Sequence, residues 1–408
     1  MTSSKDRPYD LIVYGATSFV GKIIAEHLRE RLADLDVTWA IAGRNAGKLD
    51  DLADDLDLGV DHFVADAHDP YALEKMAASA RVVLTTVGPY ALYGSELVAA
   101  CVKTGTDYCD LAGEAHWMQA MIDEHHDAAT RTGARIVHAC GFDSIPSDLG
   151  VAYTQRMATE LLGENCNTIS MRVKAMKGGA SGGTIASALN MIEQAKTQPE
   201  IRRVLANPYA LAPEGMRTGV RQNNVSTPMK DEASGRWIAP FVMAAINTGI
   251  VQRSHALLGR PWGEDFMYDE AVLTGDGPLG AVKAGAMTGG LGAFAAASSV
   301  GPLRKVLGEK VLPKPGEGPS PEAQHNGFFD LRFFGTTASG TTLTTKVTGD
   351  RDPGYGSTAK MITEAALALL DADPADTPGG SWTPATAFGQ TLEQCLVDHA
   401  GLTFGIVD

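Results

Sequence analysis

The chain has 408 residues, with 34 Lys+Arg against 49 Asp+Glu and a formal net charge of −15. At about 150 residues per domain, two or three domains are expected, and 44% hydrophobic with 20% charged residues excludes a disordered or fibrous chain. The acidic balance argues against non-specific nucleic-acid binding and against docking on anionic lipid, while leaving room for a local basic pocket for one phosphate.

The first predicted element is the apolar run from Asp10 to Gly15, which reads as a central parallel strand because it has no polar face. A helix follows with Ile23, Ile24, His27, Leu28 and Leu32 on one side. Strands at 37–42, 62–65, 81–87, 107–109 and 135–139 alternate with helical patterns, and Gly105 is a helix stop. This rhythm predicts an α/β, Rossmann-type doubly wound parallel sheet over residues 1–148.

The pattern then changes. Ile169, Met171 and Val173 alternate with Ser170, Arg172 and Lys174, as do Phe329, Leu331 and Phe333 further on. Alternation means one wet face and a mostly antiparallel sheet, so residues 149–350 read as a second, α+β domain. The proline-rich stretch Pro313–Pro321 is a loop by composition. Ser357 is placed to cap a helix through Ile362, Ala365 and Leu369, and residues 351–408 are expected to return to the first domain and cover its sheet.

Gly15-x-x-Ser18-x-x-Gly21 sits where the first strand turns into the first helix. Gly15 suits a tight turn, and Gly21 suits close packing of helix on strand. The amides of Thr17, Ser18, Phe19 and Val20 at the helix start suit a diphosphate. Ser18 stands where the usual fingerprint has glycine, and its hydroxyl is a candidate phosphate ligand. The second strand ends in Gly43-Arg44-Asn45, with Lys48 a turn later, where an NAD site would carry a carboxylate for the ribose 2′-hydroxyl. A guanidinium there pairs with a 2′-phosphate, so NADP(H) is the expected cofactor. Asp66 closes the third strand on the adenine side, and Val87-Gly88-Pro89 closes the fourth on the nicotinamide side.

Tyr14-Gly-Ala-Thr-Ser-Phe-Val-Gly21, Ala42-Gly-Arg44, Thr86-Val-Gly-Pro-Tyr90, Asp110-Leu-Ala-Gly-Glu114 and Gly141-Phe-Asp-Ser-Ile-Pro-Ser-Asp148 together resemble the saccharopine dehydrogenase-like oxidoreductases. Gly349-Asp-Arg-Asp-Pro-Gly-Tyr355 and Gly380-Ser-Trp-Thr-Pro-Ala385 fit the same group. The chain is most similar to its trans-acting enoyl reductase subfamily. The resemblance implies NADPH-linked reduction of an enoyl or keto group on a lipid or polyketide-type intermediate, handed over by a polyketide or fatty-acid synthase. A saccharopine-type amino-acid dehydrogenase and a non-catalytic NADP(H)-binding partner of a synthase are the alternatives.

Hydride transfer needs an electrophilic carbon against the nicotinamide and a proton donor or dipole for the developing charge. Tyr90, Tyr93, Glu114 and Asp143 lie at or just past strand ends that converge on one crevice and are the candidate catalytic residues. Helix capping is the plainer reading of Glu114 and of Ser147, and aromatic packing that of the two tyrosines. No metal is expected: His125-His126 are adjacent, and no HExxH or Cys/His cluster is present. Five cysteines without CxxC spacing and a polar start, Met1–Asp10, suggest a cytoplasmic protein. Ala284–Val300 is small and apolar with four glycines, short of the about 20 residues of a spanning helix. It reads as a glycine-rich helix or loop buried under a domain interface, or else as an apolar lid or a surface that meets lipid transiently.

Overall fold

The structure, a computed structural model, describes residues 7–178, 182–299 and 318–407. The first part of the chain runs β1 (Tyr9–Tyr14), α1 (Phe19–Arg31), β2 (Trp39–Gly43), α2 (Ala46–Asp55), β3 (His62–Val64), α3 (Pro70–Ala78), β4 (Ala80–Thr85), α4 (Tyr90–Tyr93), α5 (Ser95–Thr104), β5 (Asp107–Asp110), α6 (Ala115–Thr132) and β6 (Arg135–Val137). Then come α7 (Ile145–Leu162), β7 (Cys166–Lys177), α8 (Gly182–Thr197), α9 (Pro199–Ala206), β8 (Met229–Lys230), β9 (Trp237–Pro240), α10 (Ala244–Leu257), β10 (Met267–Gly275), α11 (Gly277–Ser299), α12 (Pro321–His325), β11 (Phe328–Thr337) and β12 (Thr342–Gly349). A π-turn at Pro353–Ser357 leads into α13 (Thr358–Asp371), β13 (Gly380–Trp382), α14 (Pro384–Ala387), α15 (Gln390–His399) and β14 (Leu402–Ile406).

The first sheet is parallel throughout, in the order β13-β6-β5-β4-β1-β2-β3. Leu11, Ile12 and Val13 of β1 and Val82, Val83 and Leu84 of β4 are fully buried, as strands covered by helices on both faces must be. Strand order reverses between β1 and β4, which opens a crevice at their C-terminal ends. Gly105 ends α5 in the left-handed region at φ 68°, a conformation glycine adopts without a Cβ clash.

The second sheet is ordered β14-β12-β11-β7-β10-β9-β8 and is mostly antiparallel, with β7 and β10 running parallel. The mostly antiparallel sheet is as expected, and one expectation is corrected in it: part of the polar face of β7 is covered, with Arg172 buried, one amino group 2.8 Å from Asp231 and the other on Asp269, while Lys174 stays exposed. A buried guanidinium survives here because two carboxylates face it.

The last part of the chain joins both sheets. β13 extends the first sheet beside β6, and β14 extends the second beside β12. Asp352, fully buried, caps the π-turn by accepting from Tyr355 N and Gly356 N at 3.0 Å. The capping role expected of Ser357 therefore belongs to Asp352, and the Ser357 side chain makes no cap bond. Of Pro313–Pro321, residues 313–317 lie outside the described residues; Ser320 caps α12 through Ala323 N at 3.2 Å. Of the glycine-rich stretch, residues 284–299 are helix, within α11, and most of 284–298 is exposed instead of lying under a domain interface; Val300 lies outside the described residues.

Arg135 locks the first sheet to the returning helix. Its guanidinium pairs with Asp107 on β5 and donates to the Leu369 and Ala372 carbonyls at 2.7 and 2.9 Å, at the end of α13. Arg135→Met strands a buried carboxylate at Asp107. We expect about 3–5 kcal/mol of lost stability by chemical denaturation, and a loss below 1 kcal/mol would contradict this role.

Candidate active site

The crevice begins at Gly15. It takes φ +88°, and a Cβ there would lie 2.7 Å from Thr86 Oγ1 and from Val87 Cγ2. A Cβ on Gly21 would lie 2.2 Å from the Gly15 carbonyl oxygen, so α1 can cross β1 this closely only with glycine at that place. The amides of Thr17, Phe19 and Val20 donate to no other described residue. Such orphan donors at a helix start form an anion cradle. Ser18 is the N-cap of α1: its hydroxyl accepts from Gly21 N at 2.9 Å and lies 2.8 Å from Thr86 Oγ1. That hydroxyl shapes the turn and is engaged within the chain, in place of the phosphate contact expected of it.

Beyond β2, Arg44 is exposed and forms no hydrogen bond or ion pair with a described residue. Asn45 caps α2 by accepting from Lys48 N at 3.0 Å, which sets Arg44 immediately ahead of a second helix N-terminus. Lys48 is likewise exposed. Asp66 follows β3, exposed, with its carboxylate accepting from His68 N at 2.9 Å.

The fourth strand delivers Val87, Gly88 and Pro89, with a cis peptide between the last two. Tyr90 is buried, contrary to what a proton donor at the crevice requires. Its hydroxyl donates to the Thr85 carbonyl at 3.2 Å and accepts from Leu111 N at 3.1 Å, and its ring lies 5.4 Å from Trp117. Burial holds this phenol well above its ordinary value. Tyr93 is half-buried and tilts against His68 at 5.5 Å, beside the turn after β3.

Glu114 is 1% exposed and acts as a cap, but not on the helix that follows it. Its carboxylate accepts from Tyr90 N at 2.8 Å and Ala91 N at 3.1 Å, at the start of α4, and from Ser187 Oγ of α8 at 2.9 Å. A Cβ on Gly88 would sit 3.8 Å from that same Ser187 hydroxyl. One carboxylate thus ties the Val87–Pro89 loop to a helix that follows the second sheet's β7. Of the nearby glycine-rich run at 178–184, whose composition suits an anion turn, a hinge or a plain loop capped by Thr184, residues 179–181 and the Thr184 side chain lie outside the described residues.

Asp143 is different from every other acid at these strand ends. It is half-buried, just past β6, and its carboxylate makes no hydrogen bond or ion pair with a described residue. Desolvation alone raises its pKa to about 6. Neighbouring Asp110 is spoken for: it accepts from Tyr108 Oη, Ala112 N and Ala139 N at 2.9–3.0 Å and lies 2.7 Å from His138 Nδ1. Ala139, held by that bond, takes φ 61°, a left-handed conformation that turns the chain sharply toward Asp143.

Sequence reasoning missed the residues that brace this loop. Thr358 Oγ1 accepts from Phe142 N at 3.0 Å and donates to the Pro353 carbonyl at 2.7 Å. Tyr355 packs edge-on against Phe19 at 4.7 Å, so the π-turn touches the diphosphate turn as well. From below, Ser144 Oγ donates to Asn247 Oδ1 at 3.1 Å, and Asn247 Nδ2 donates to Glu270 at 2.9 Å. Glu270 also accepts from Ser147 and Tyr268 hydroxyls at 2.7 Å, and burial lifts its pKa to about 7. Ser147 is thereby a ligand of Glu270 and not a helix cap. The signal for the π-turn was present in the Gly349–Tyr355 motif, which carried no assigned role; for Glu270, inside a strand, there was none.

A profile of the saccharopine dehydrogenase NADP binding domain matches residues 11–137. With the cradle and the free Arg44, this defines an NAD(P)-dependent oxidoreductase that binds NADP(H). A Mycobacterium bovis protein named trans-acting enoyl reductase is 38% identical, covering 99% of both chains, and one from Mycobacterium ulcerans is 39% identical over 96% of both. A Mycobacterium tuberculosis protein provisionally given that name is 41% identical over 96% of both. The chain belongs to the trans-acting enoyl reductase family. Its fold is that of saccharopine dehydrogenase (L-Glu forming) from Saccharomyces cerevisiae, at TM-score 0.56 and 13% identity, covering 98% of this chain and 100% of that one.

The lone carboxyl at Asp143 has a stability signature. Its folded pKa lies above the unfolded value, so its contribution is full at low pH and is lost as pH rises from about 4 through 6. Asp143→Asn removes that loss. Thermal or denaturant unfolding at pH 8 should show a gain of up to about 2–3 kcal/mol over wild type, from two pK units at 1.36 kcal/mol each. Equal stability of the two proteins from pH 4 to 8 would contradict the placement of Asp143.

Proposed function

We propose that this chain reduces an activated carbon–carbon double bond on an apolar acyl intermediate brought by a separate synthase, with NADPH as reductant. The names of its relatives support the reaction and the separate partner. The observation that carries the chemistry is Asp143, an acid with no hydrogen bond or ion pair to a described residue, on a loop past β6 that the π-turn segment braces together with the diphosphate turn.

The roles follow from what each residue has left free. Thr17, Phe19 and Val20 amides hold the diphosphate, with Gly15 and Gly21 making the approach close enough. Arg44 and Lys48 hold the 2′-phosphate, and Asp66 and Tyr93 line the adenosine half. Glu114 keeps the Val87-Gly88-Pro89 loop in register, and that loop would hold the nicotinamide end of the cofactor. The bound cofactor supplies the hydride. Asp143 supplies the proton at its carboxyl oxygen to the carbon that gains the electron pair, and its pKa of about 6 keeps a usable protonated fraction near neutral pH. Tyr90 takes no part in proton transfer.

The test follows NADPH oxidation with short enoyl thioesters. Turnover should fall as pH rises through about 6, and Asp143→Asn should lower kcat at least 100-fold with little change in NADPH affinity, within the usual range for a general acid. Arg44→Ala should weaken NADPH about 10- to 100-fold and leave NADH unchanged, the span of a lost charge-assisted bidentate pair. Wild-type turnover in Asp143→Asn would exclude the proton role. NADPH binding without turnover on any enoyl thioester would favour the non-catalytic alternative.

A further inference from the structure

α11 has a composition at odds with its surroundings. Its contacts are with β9, β10 and α8. Leu279 and Val282 are 75% and 69% exposed, and Met287 and Leu291 are exposed as well. No charged residue occurs from Ala284 to Ser299. A Cβ added at Gly285, Gly289, Gly290 or Gly292 would meet no atom within 4 Å. A surface helix ordinarily keeps a charged outer face. Glycine in an exposed helix interior is destabilising, and packing against the described residues requires none of these four. An apolar surrounding reverses that preference, because backbone groups removed from water must bond to one another.

Charge identifies the surrounding. Lys283 is exposed on the helix just before the uncharged stretch, and Arg304 and Lys305 follow it in the sequence. Asp276, ahead of the helix, lies 3.7 Å from the Arg236 guanidinium. An apolar stretch set between cations suits anionic headgroups. The net charge of −15 argued against such lipid for the chain as a whole. Screening over about 8–10 Å leaves an exposed cation on the helix itself, Lys283, to act at the contact. At about 1.5 Å per residue the uncharged stretch reaches about 24 Å, short of a bilayer core, and among the described residues no helix is long and apolar enough to cross a membrane.

We propose that α11 docks this protein in the plane of an anionic bilayer surface, its uncharged half sunk among the headgroups and acyl chains. The benefit rests on the apolar acyl substrate argued above; the docking does not. α8 touches α11 and, through Ser187, reaches Glu114 and covers Gly88, so a docked α11 puts the crevice one helix away from lipid.

Sedimentation of the full chain with vesicles of phosphatidylglycerol and phosphatidylcholine in equal parts tests it. Wild type should bind these vesicles about tenfold or more better than pure phosphatidylcholine, and less at high salt. The exposed-site double variant Val282→Glu/Ala293→Glu should lose that binding about tenfold while its NADPH titration stays that of wild type. Lys283→Gln should weaken it by a smaller factor. Absence of vesicle binding by wild type, equal binding to neutral vesicles, or unchanged binding by the double variant would overturn the proposal. So would a stable dimer in light scattering that the two glutamates split, since a second copy would then cover the helix. Failure of wild type to bind NADPH bears instead on the reductase reading.

Discussion

Everything at the crevice depends on how closely α1 crosses β1. The Gly15 carbonyl oxygen lies where a Cβ of Gly21 would be, 2.2 Å away. That contact keeps the first turn of α1 tight against the strand end, with three amides that donate to no described residue. Ser18 completes the arrangement from inside by capping Gly21 N and reaching Thr86, which joins the ends of β1 and β4. The serine in place of a glycine is therefore part of the scaffold of the turn.

The second sheet is not a separate appendage to this site. The π-turn at Pro353–Ser357 touches Phe19 through Tyr355 and the Asp143 loop through Thr358, and Glu114 reaches across to Ser187. These contacts cost the protein buried charge. Asp148, whose pKa burial raises to about 6, holds Ala385 N at 2.8 Å, and Glu270 is raised to about 7. Each is surrounded by donors, so their penalties are offset. Among the described residues, Asp143 at this edge has a raised carboxyl and no donor, and the proton role proposed for it rests on that difference.

Much of the dinucleotide half was legible from local chemistry. Strands apolar on both faces, Gly15 and Gly21 around the turn, and Arg44 at a strand end each carry their physical reason within a few residues. What escaped was long-range. Glu114 caps a helix 24 residues earlier in the chain. Asp352 took the cap that Ser357 seemed placed to supply, because the chain makes a π-turn first. Arg172 looked solvent-facing by alternation and is buried, because part of the other face of β7 is covered and two acids meet it. In α11 the composition suggested burial, while the fold leaves it outside. Periodicity reports which residues share a face; it does not report what covers that face.

The most direct measurement is a crystal structure with NADPH bound. It should show the diphosphate within hydrogen-bond reach of the Phe19 and Val20 amides, the 2′-phosphate on Arg44, and the nicotinamide over the Val87–Pro89 loop with Asp143 facing the space beside it. A cofactor whose diphosphate lies away from the start of α1, or whose 2′-phosphate leaves Arg44 in solvent, would contradict the site as built here.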